Sequence, residues 1–258
     1  MTRDPHPRHP ALEDALGTVR ACHGHRALLS AAHLPAARPW STGLPLDRLS
    51  AVGGLPRGRL SLLRGAPGSG KLSLALSLVA RATRGLGRVA VLDPRCRFDP
   101  ALGWLVADPE ALTVVQVPPP AAGGAAVTLV RAGVGLLLVL EPPPARALAA
   151  IGPAAARSGS LVLATAGPEG AEALAHASSL TFALERVRWL WERGQVVGLR
   201  TLVECVKNRL GPAGRCAVLE IRYVSDRSPS GGLPIRELPR SEAPGLGRGP
   251  CRGWSAAG

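Results

Sequence analysis

A glycine-rich stretch, Gly65-Ala66-Pro67-Gly68-Ser69-Gly70-Lys71-Leu72, follows the apolar run Leu60-Ser61-Leu62-Leu63-Arg64 and opens onto apolar residues at helical spacing. Strand, glycine turn and helix in that order turn several backbone N–H groups toward one point at a helix N-terminus, which is what a Walker A phosphate loop requires. Lys71 is placed to reach the terminal phosphates. The next position should carry a Ser or Thr hydroxyl for Mg²⁺, and it holds Leu72, a hydrocarbon that cannot ligate a metal. Ser73 follows about 100° further around the helix and is a poor substitute. The expectation is an anion cradle without productive Mg·ATP binding; a glycine turn kept only for strand–helix packing stays open beside it.

Around this loop, short apolar runs alternate with helical stretches. The strand candidates are Arg59–Arg64, Arg88–Leu92, Leu112–Val117, Leu136–Leu140, Ser160–Ala164, Leu180–Arg188, Val197–Val206 and Cys216–Tyr223. The helix candidates are Lys71–Arg84, Ala121–Ala132, Ala145–Ala156 and Gly170–Ala177. The first five strands are apolar on both faces, as strands between two helical layers are. Such alternation implies βαβ units, so the fold class is α/β with a mainly parallel central sheet. The last three strands follow one another without helices and should add antiparallel. The spacing of Leu12, Leu16 and Val19 predicts a short amphipathic helix within an N-terminal arm, residues 1–40. The core is expected over 41–224, with a flexible Arg/Pro/Gly-rich tail over 225–258.

The formal net charge is +13, and Lys71 and Lys207 are the only lysines, so 29 of the 31 basic residues are arginine. Codon bias explains arginine over lysine, but not the shortage of acids. Such a balance favours a polyanionic partner, nucleic acid first and anionic membrane second. Cys22, Cys96, Cys205, Cys216 and Cys251 show no metal-ligand spacing and read as reduced thiols. With no apolar N-terminal segment and no apolar run of membrane-spanning length, the expected location is cytoplasmic. No metal or cofactor is expected.

Two patches carry a family resemblance. Ser41-Thr42-Gly43-Leu44-Pro45-Leu46-Asp47-Arg48-Leu49, then Gly53-Gly54-Leu55-Pro56-Arg57-Gly58-Arg59, then the phosphate loop, resemble the entry to the RecA recombinase core. Val203-Glu204-Cys205-Val206-Lys207-Asn208-Arg209, followed by Leu219-Glu220-Ile221-Arg222-Tyr223, resembles a later RecA segment. The resemblance implies a RecA-like core and assigns a vestigial nucleotide site to Gly65, Gly68, Ser69, Gly70, Lys71, Asp99 and Glu141. Asp99 matches a residue contacting adenine, and the base-stacking aromatic falls at Leu102. Glu141, followed by three prolines, is a displaced substitute for the Walker B acid. Where RecA has the glutamate that activates water, this chain has Arg95, and a guanidinium cannot accept a proton. The first DNA loop is compressed within Glu141–Gly159, Gly167 replaces the sensing glutamine, and the second loop shrinks to about Pro168–Gly170. No catalytic residue, and no strand exchange, is expected.

This pattern of losses is similar to the ImuA-type accessory proteins of translesion synthesis. It implies a non-catalytic DNA-damage-response protein that binds DNA without sequence preference. Its implied partners are an inactive Y-family polymerase homologue, an error-prone replicative-type polymerase and RecA itself, with no membrane. The alternatives are a divergent DNA-dependent ATPase using Lys71, Glu141 and Lys207, and a SulA-like cell-division inhibitor.

Candidate DNA or partner contacts fall in three places. In Arg186-Val187-Arg188-Trp189-Leu190-Trp191-Glu192-Arg193, strand alternation puts Arg186 and Arg188 on one face and Trp189 and Trp191 on the other; a hairpin packing its tryptophans on the core is the alternative. Lys207 and Arg209 match residues that in RecA reach across a filament interface, or are a basic strand edge. Arg227, Arg236, Arg240, Arg248 and Arg252 lie in the tail, which reads either as a binding segment or as solvated chain.

Overall fold

The structure is a computed structural model and describes residues 10–24, 39–99, 108–168, 171–223, 232–239 and 242. The chain divides into two compact units, Met1–Arg38 and Pro39–Gly258. In the first, helix α1 (Pro10–His23) carries no buried residue.

The second unit is built on a nine-stranded sheet. In chain order its described elements are β1 (Pro39–Trp40), α2 (Leu46–Leu49), β2 (Leu55–Pro56), β3 (Leu60–Gly65), α3 (Lys71–Gly85), β4 (Val89–Leu92), β5 (Leu112–Val115), α4 (Pro119–Arg131), β6 (Leu136–Val139), α5 (Ala145–Ser158), β7 (Leu161–Ala166), α6 (Glu172–Ala177), β8 (Leu180–Glu192), β9 (Gln195–Asn208), β10 (Cys216–Arg222) and β11 (Ile235–Glu237). The strand order is β11-β10-β9-β8-β3-β7-β6-β4-β5. From β8 to β5 neighbours are parallel; β8–β9, β9–β10 and β10–β11 are antiparallel. β1 and β2 form a separate two-stranded ribbon.

Period-two alternation sorts the strand residues between two layers. Leu63, Val91, Leu138, Leu163, Phe182 and Leu199 face α3, with Leu74, Leu78 and Val79 of that helix in the same cluster. Leu62, Leu92, Val139 and Val162 face α4 and α5, against Ala126, Val130, Leu148 and Ile151. Both faces of the central strands are therefore dry, which is why their sequences read as unbroken apolar runs. β5 closes the sheet as a half-exposed edge.

The entry motif is structural. The Asp47 carboxylate accepts from the backbone N–H of Thr42 and Gly43, each at 2.9 Å, and from the hydroxyls of Ser41 and Thr42, locking the turn ahead of α2. A Cβ at Gly54 would lie 2.1 Å from the Trp40 carbonyl oxygen, so the β1–β2 ribbon admits only glycine there.

Two expectations are corrected. The strand β11 lies inside the expected flexible tail; Leu219↔Glu237, Glu220↔Arg236 and Ile221↔Ile235 pair it to β10, and Leu233 and Leu238 are buried on either side of it. Burial of two leucines and a strand ladder hold a segment whose Pro/Gly composition reads as loop. The thiols are not all reduced: Cys216 is disulfide-bonded, while Cys22, Cys96 and Cys205 are free.

Candidate functional site: a phosphate loop ringed by arginines

The loop between β3 and α3 sits where the chain leaves the centre of the sheet, with β7 on one side of β3 and β8 on the other. Ligands of open α/β sheets bind at such switch points. Gly68 and Gly70 have φ of 75° and 88°, the left-handed conformation that lets the loop wrap, and Gly70 caps α3. A Cβ at Gly70 would approach Leu199 Cδ1 to 2.9 Å, so close packing on β9 demands glycine as well. From below, the buried Thr201 hydroxyl donates toward the Ser69 carbonyl at 2.9 Å and the Glu185 carbonyl at 3.1 Å, tying the loop to β8 and β9. The Ser69 hydroxyl is buried without a hydrogen-bond partner among the described residues.

The charges around this loop are inverted relative to a magnesium site. Glu141, just past β6, is gripped by Arg95 Nε at 3.0 Å and Arg97 Nη2 at 3.1 Å. Both arginines come from the segment after β4, where the resemblance to RecA implies a catalytic glutamate. Lys71 donates its ammonium to the Ala66 carbonyl at 3.1 Å. Burial, and then the positive charge of Arg97, hold its pKa below the usual lysine value. Leu72 projects a 38% exposed hydrocarbon at the metal-ligand position. Ser73 turns away, its hydroxyl 3.5 Å from that of Tyr223. Magnesium needs oxygen ligands in near-octahedral order. The hydrocarbon and the doubly paired carboxylate do not fit that ion, and among the described residues no His/Cys/Asp/Glu cluster could hold a metal. Asp99 is exposed, and Leu102 lies outside the described residues.

The hairpin of β8 and β9 roofs the loop. Its turn, Arg193-Gly194, has φ of 49° and 77°, as a two-residue type I′ connection requires. A bulge between Arg186 and Arg188 shifts the register and overturns the expected alternation. Arg186 therefore shares a side with Trp189: its guanidinium lies 4.7 Å from the indole centroid and donates to the Gly68 carbonyl at 3.4 Å. Arg188 points to the opposite face, level with Arg200. The tryptophans separate too, Trp189 packing on the main core and Trp191 remaining 62% exposed. Beside the loop opens a cleft of about 460 Å³, lined by Arg64, Ser69, Glu185, Arg186, Leu202 and Glu204.

The other expected contacts are placed differently from the sequence reading. Lys207 donates to the carbonyls of Ala175 and His176, and Arg209 Nη2 to that of His176 at 2.7 Å. Both side chains cap the C-terminal carbonyls of α6 and satisfy groups the helix leaves unpaired. Asn208 between them donates to the Ser50 carbonyl at 2.6 Å, so this resembling motif is structural as well. Arg236 belongs to β11, where it pairs with Glu220. Arg227, Arg240, Arg248 and Arg252 lie outside the described residues. Arg97, Thr201, Arg200, Glu220 and Arg222 were not singled out from the sequence. Strand register brings Arg200, Glu220 and Arg222 together; the doubled arginine of Arg95-Cys96-Arg97 was the visible hint for Arg97.

Loop, sheet order and antiparallel extension define a P-loop α/β protein of the recombinase-core type. The family model of the RecA N-terminal domain matches residues 10–155, more than half of the chain. Protein RecA of Rhodospirillum centenum (strain ATCC 51521 / SW) is 29% identical over 281 residues, covering 89% of this chain and 76% of that protein. Protein RecA of Chlorobaculum tepidum is 30% identical over 227 residues, 71% of this chain and 65% of that protein. The chain belongs to the RecA family. The crystal structure of the RadB recombinase shares the fold, with a TM-score of 0.53 at 18% identity, over 73% of this chain and 96% of that one. No helix among the described residues is long and apolar enough to cross a membrane.

Proposed function

We propose that this chain is a non-catalytic RecA-family accessory protein of the DNA-damage response, of the ImuA type, that binds DNA and scaffolds translesion-synthesis polymerases. The observation that carries this reading is the Arg95–Glu141–Arg97 cluster beside Leu72. Hydrolysis of a nucleoside triphosphate in this fold needs a metal ligand after the P-loop lysine, a free acid at the end of β6 and a proton acceptor after β4. Here the three positions hold a hydrocarbon, a carboxylate neutralised by two cations, and one of those cations. The +13 net charge supports DNA as a partner, through a backbone-directed, salt-sensitive interaction. Lys207 and Arg209 donate to the carbonyls of α6, which supports a structural role for them.

A gel-shift titration with rising salt, followed by co-purification with an inactive Y-family polymerase homologue from the same genome, tests the reading. Binding to DNA that weakens steeply with salt, and a stable complex with the polymerase homologue, are expected. Absent or salt-indifferent DNA binding, or a polymerase homologue that elutes alone, would overturn it.

A further inference from the structure

A row of arginines crosses the end of the central sheet that lies away from the phosphate loop. The loop follows the last residue of β3; Arg57 and Arg59 precede its first, in the tight turn that joins β2 to β3. The Gly58 N–H donates to the Ser160 carbonyl at 3.0 Å, and a Cβ at Gly58 would lie 3.3 Å from the Ala155 carbonyl oxygen. The turn holding Arg57 and Arg59 therefore sits against the last turn of α5, which carries Arg157. The Ser160 hydroxyl donates to the Val130 carbonyl at 3.3 Å, which brings in the end of α4 and its Arg131. The Gly135 N–H, ahead of β6, donates to the Arg88 carbonyl at 2.9 Å, so Arg88 stands at the start of β4 on the same edge. From β3 to β4 the sheet crosses three strand intervals, ~14 Å at ~4.8 Å each.

All five of these residues are exposed, and their guanidinium groups make no hydrogen bond or ion pair among the described residues. Asp108 and Glu110 flank the row ahead of β5, beyond Arg88, and the Asp108 carboxylate accepts from the Glu110 N–H at 3.1 Å. At the other end Lys207 and Arg209 extend the positive charge past β3: the Arg209 N–H donates to the Ser179 carbonyl and the Ser179 N–H to the Leu60 carbonyl, each at 2.8 Å. Glu172 is in the first turn of α6, while Lys207 and Arg209 hold that helix by its last turn. A basic residue in the last turn of a helix complements the helix dipole, and that accounts for Arg131 and Arg157. It does not account for Arg57, Arg59 and Arg88, which lie outside helices. Like charges gathered in this way repel one another in the folded chain, and a polyanion laid along the edge relieves that repulsion.

We infer that this edge, with Arg57, Arg59, Arg88, Arg131 and Arg157 as its contacts, receives the phosphate backbone of DNA. The inference rests on the DNA-binding function proposed above and assigns it a place, at the end of the sheet away from the phosphate loop. Charge complementarity selects the occupant: five exposed arginines stand together without a paired acid among the described residues. Duplex DNA presents one negative charge per ~1.7 Å of axis, so several phosphates fall within the row's length. Arginine suits the contact, because its planar fork meets two phosphate oxygens at once. Contacts to phosphate carry no base information, in keeping with binding that has no sequence preference.

The test is fluorescence polarisation of a labelled oligonucleotide, single-stranded and duplex, titrated with the full chain at salt between about 50 and 200 mM. Arg59→Ala/Arg88→Ala is expected to weaken binding about tenfold and to reduce the salt slope by about two. Arg146→Glu changes the net charge by the same amount in the exposed first turn of α5, at the opposite end of that helix from Arg157, and is expected to leave affinity within about twofold. Should the double variant fail to fold, Arg57→Glu alone, at an exposed turn position, is expected to give the same loss. Affinity unchanged in the row variants, equal losses from the row variants and Arg146→Glu, or loss from Arg146→Glu alone would overturn this surface while leaving a DNA-binding protein. A wild-type chain that binds neither oligonucleotide at low salt would overturn both.

Discussion

Arg95 Nε lies 3.0 Å from Glu141 Oε2, so the residue that the resemblance to RecA puts at a water-activating position pairs with the residue it puts at the Walker B position. Arg97 completes the arrangement from the other carboxylate oxygen at 3.1 Å and also depresses the pKa of Lys71. Two guanidinium groups thus hold one carboxylate, and one of them also acts on the lysine of the loop. On the proposed reading such a cluster holds an anion without a metal and takes no proton from water.

Glu141→Gln separates these possibilities. In a working Walker B site that change abolishes turnover. Here it frees Arg95 and Arg97, so pyrophosphate in the presence of a chelator should bind about fivefold more tightly, the ~1 kcal/mol of a unit charge at ~8 Å in an effective dielectric of ~40. Isothermal titration calorimetry measures it; unchanged or weaker binding would mean that the arginines do not act on the loop.

Thr201 should be essential to the loop's rigidity. Its buried hydroxyl is shared between the Ser69 and Glu185 carbonyls. Thr201→Val keeps the shape and leaves those acceptors without their donor, which costs about 1–3 kcal/mol. Chemical denaturation should show that loss, and hydrogen exchange should accelerate across residues 65–71. Unaltered protection there would contradict the tie.

Removing the caps of α6 should be visible without any partner present. Lys207→Ala and Arg209→Ala each delete donors to the last carbonyls of that helix, worth roughly 0.5–1.5 kcal/mol. For a domain of this size that lowers Tm by about 2–4 °C per kcal/mol. Side chains serving only an intermolecular contact would leave the melting midpoint where it is.

Glu220 imposes a defined pH dependence. Burial pushes its carboxyl up, but hydrogen bonds from Arg222, Arg200 and Arg236 outweigh that and hold it below the usual carboxylate range. The folded protein therefore binds this proton less readily than the unfolded chain, whose glutamates titrate near ~4.3. The stabilisation is present above that pH and is lost as pH falls through the lower native value. The stability gap between wild type and Glu220→Gln should narrow as pH falls from about 5 to about 3. A gap constant over that range would contradict the carboxylate's role.

Much of this molecule could be read in its sequence, because the strongest signals were local. Each strand from β3 to β10 is announced by an apolar run, and the phosphate loop by its glycines. What escaped depends on register. One inserted residue at Val187 sends Arg186 and Arg188 to opposite faces, and nothing in the alternation of Arg186 to Trp191 marks it. β11 is three residues long and borrows its stability from β10 and two buried leucines. That Lys207 and Arg209 donate to the end of α6 is visible only in the folded chain. Arg95 stood out through the resemblance alone, and its partner Glu141, at the end of another strand, meets it only in the folded chain.

The central claim is that the inverted charge of this loop leaves no route to hydrolysis. Its most direct test is phosphate release from Mg·ATP by the purified full chain, with and without DNA, beside Lys71→Ala. The account predicts no release above the Lys71→Ala background under either condition. Magnesium-dependent release that DNA stimulates and Lys71→Ala abolishes would contradict it.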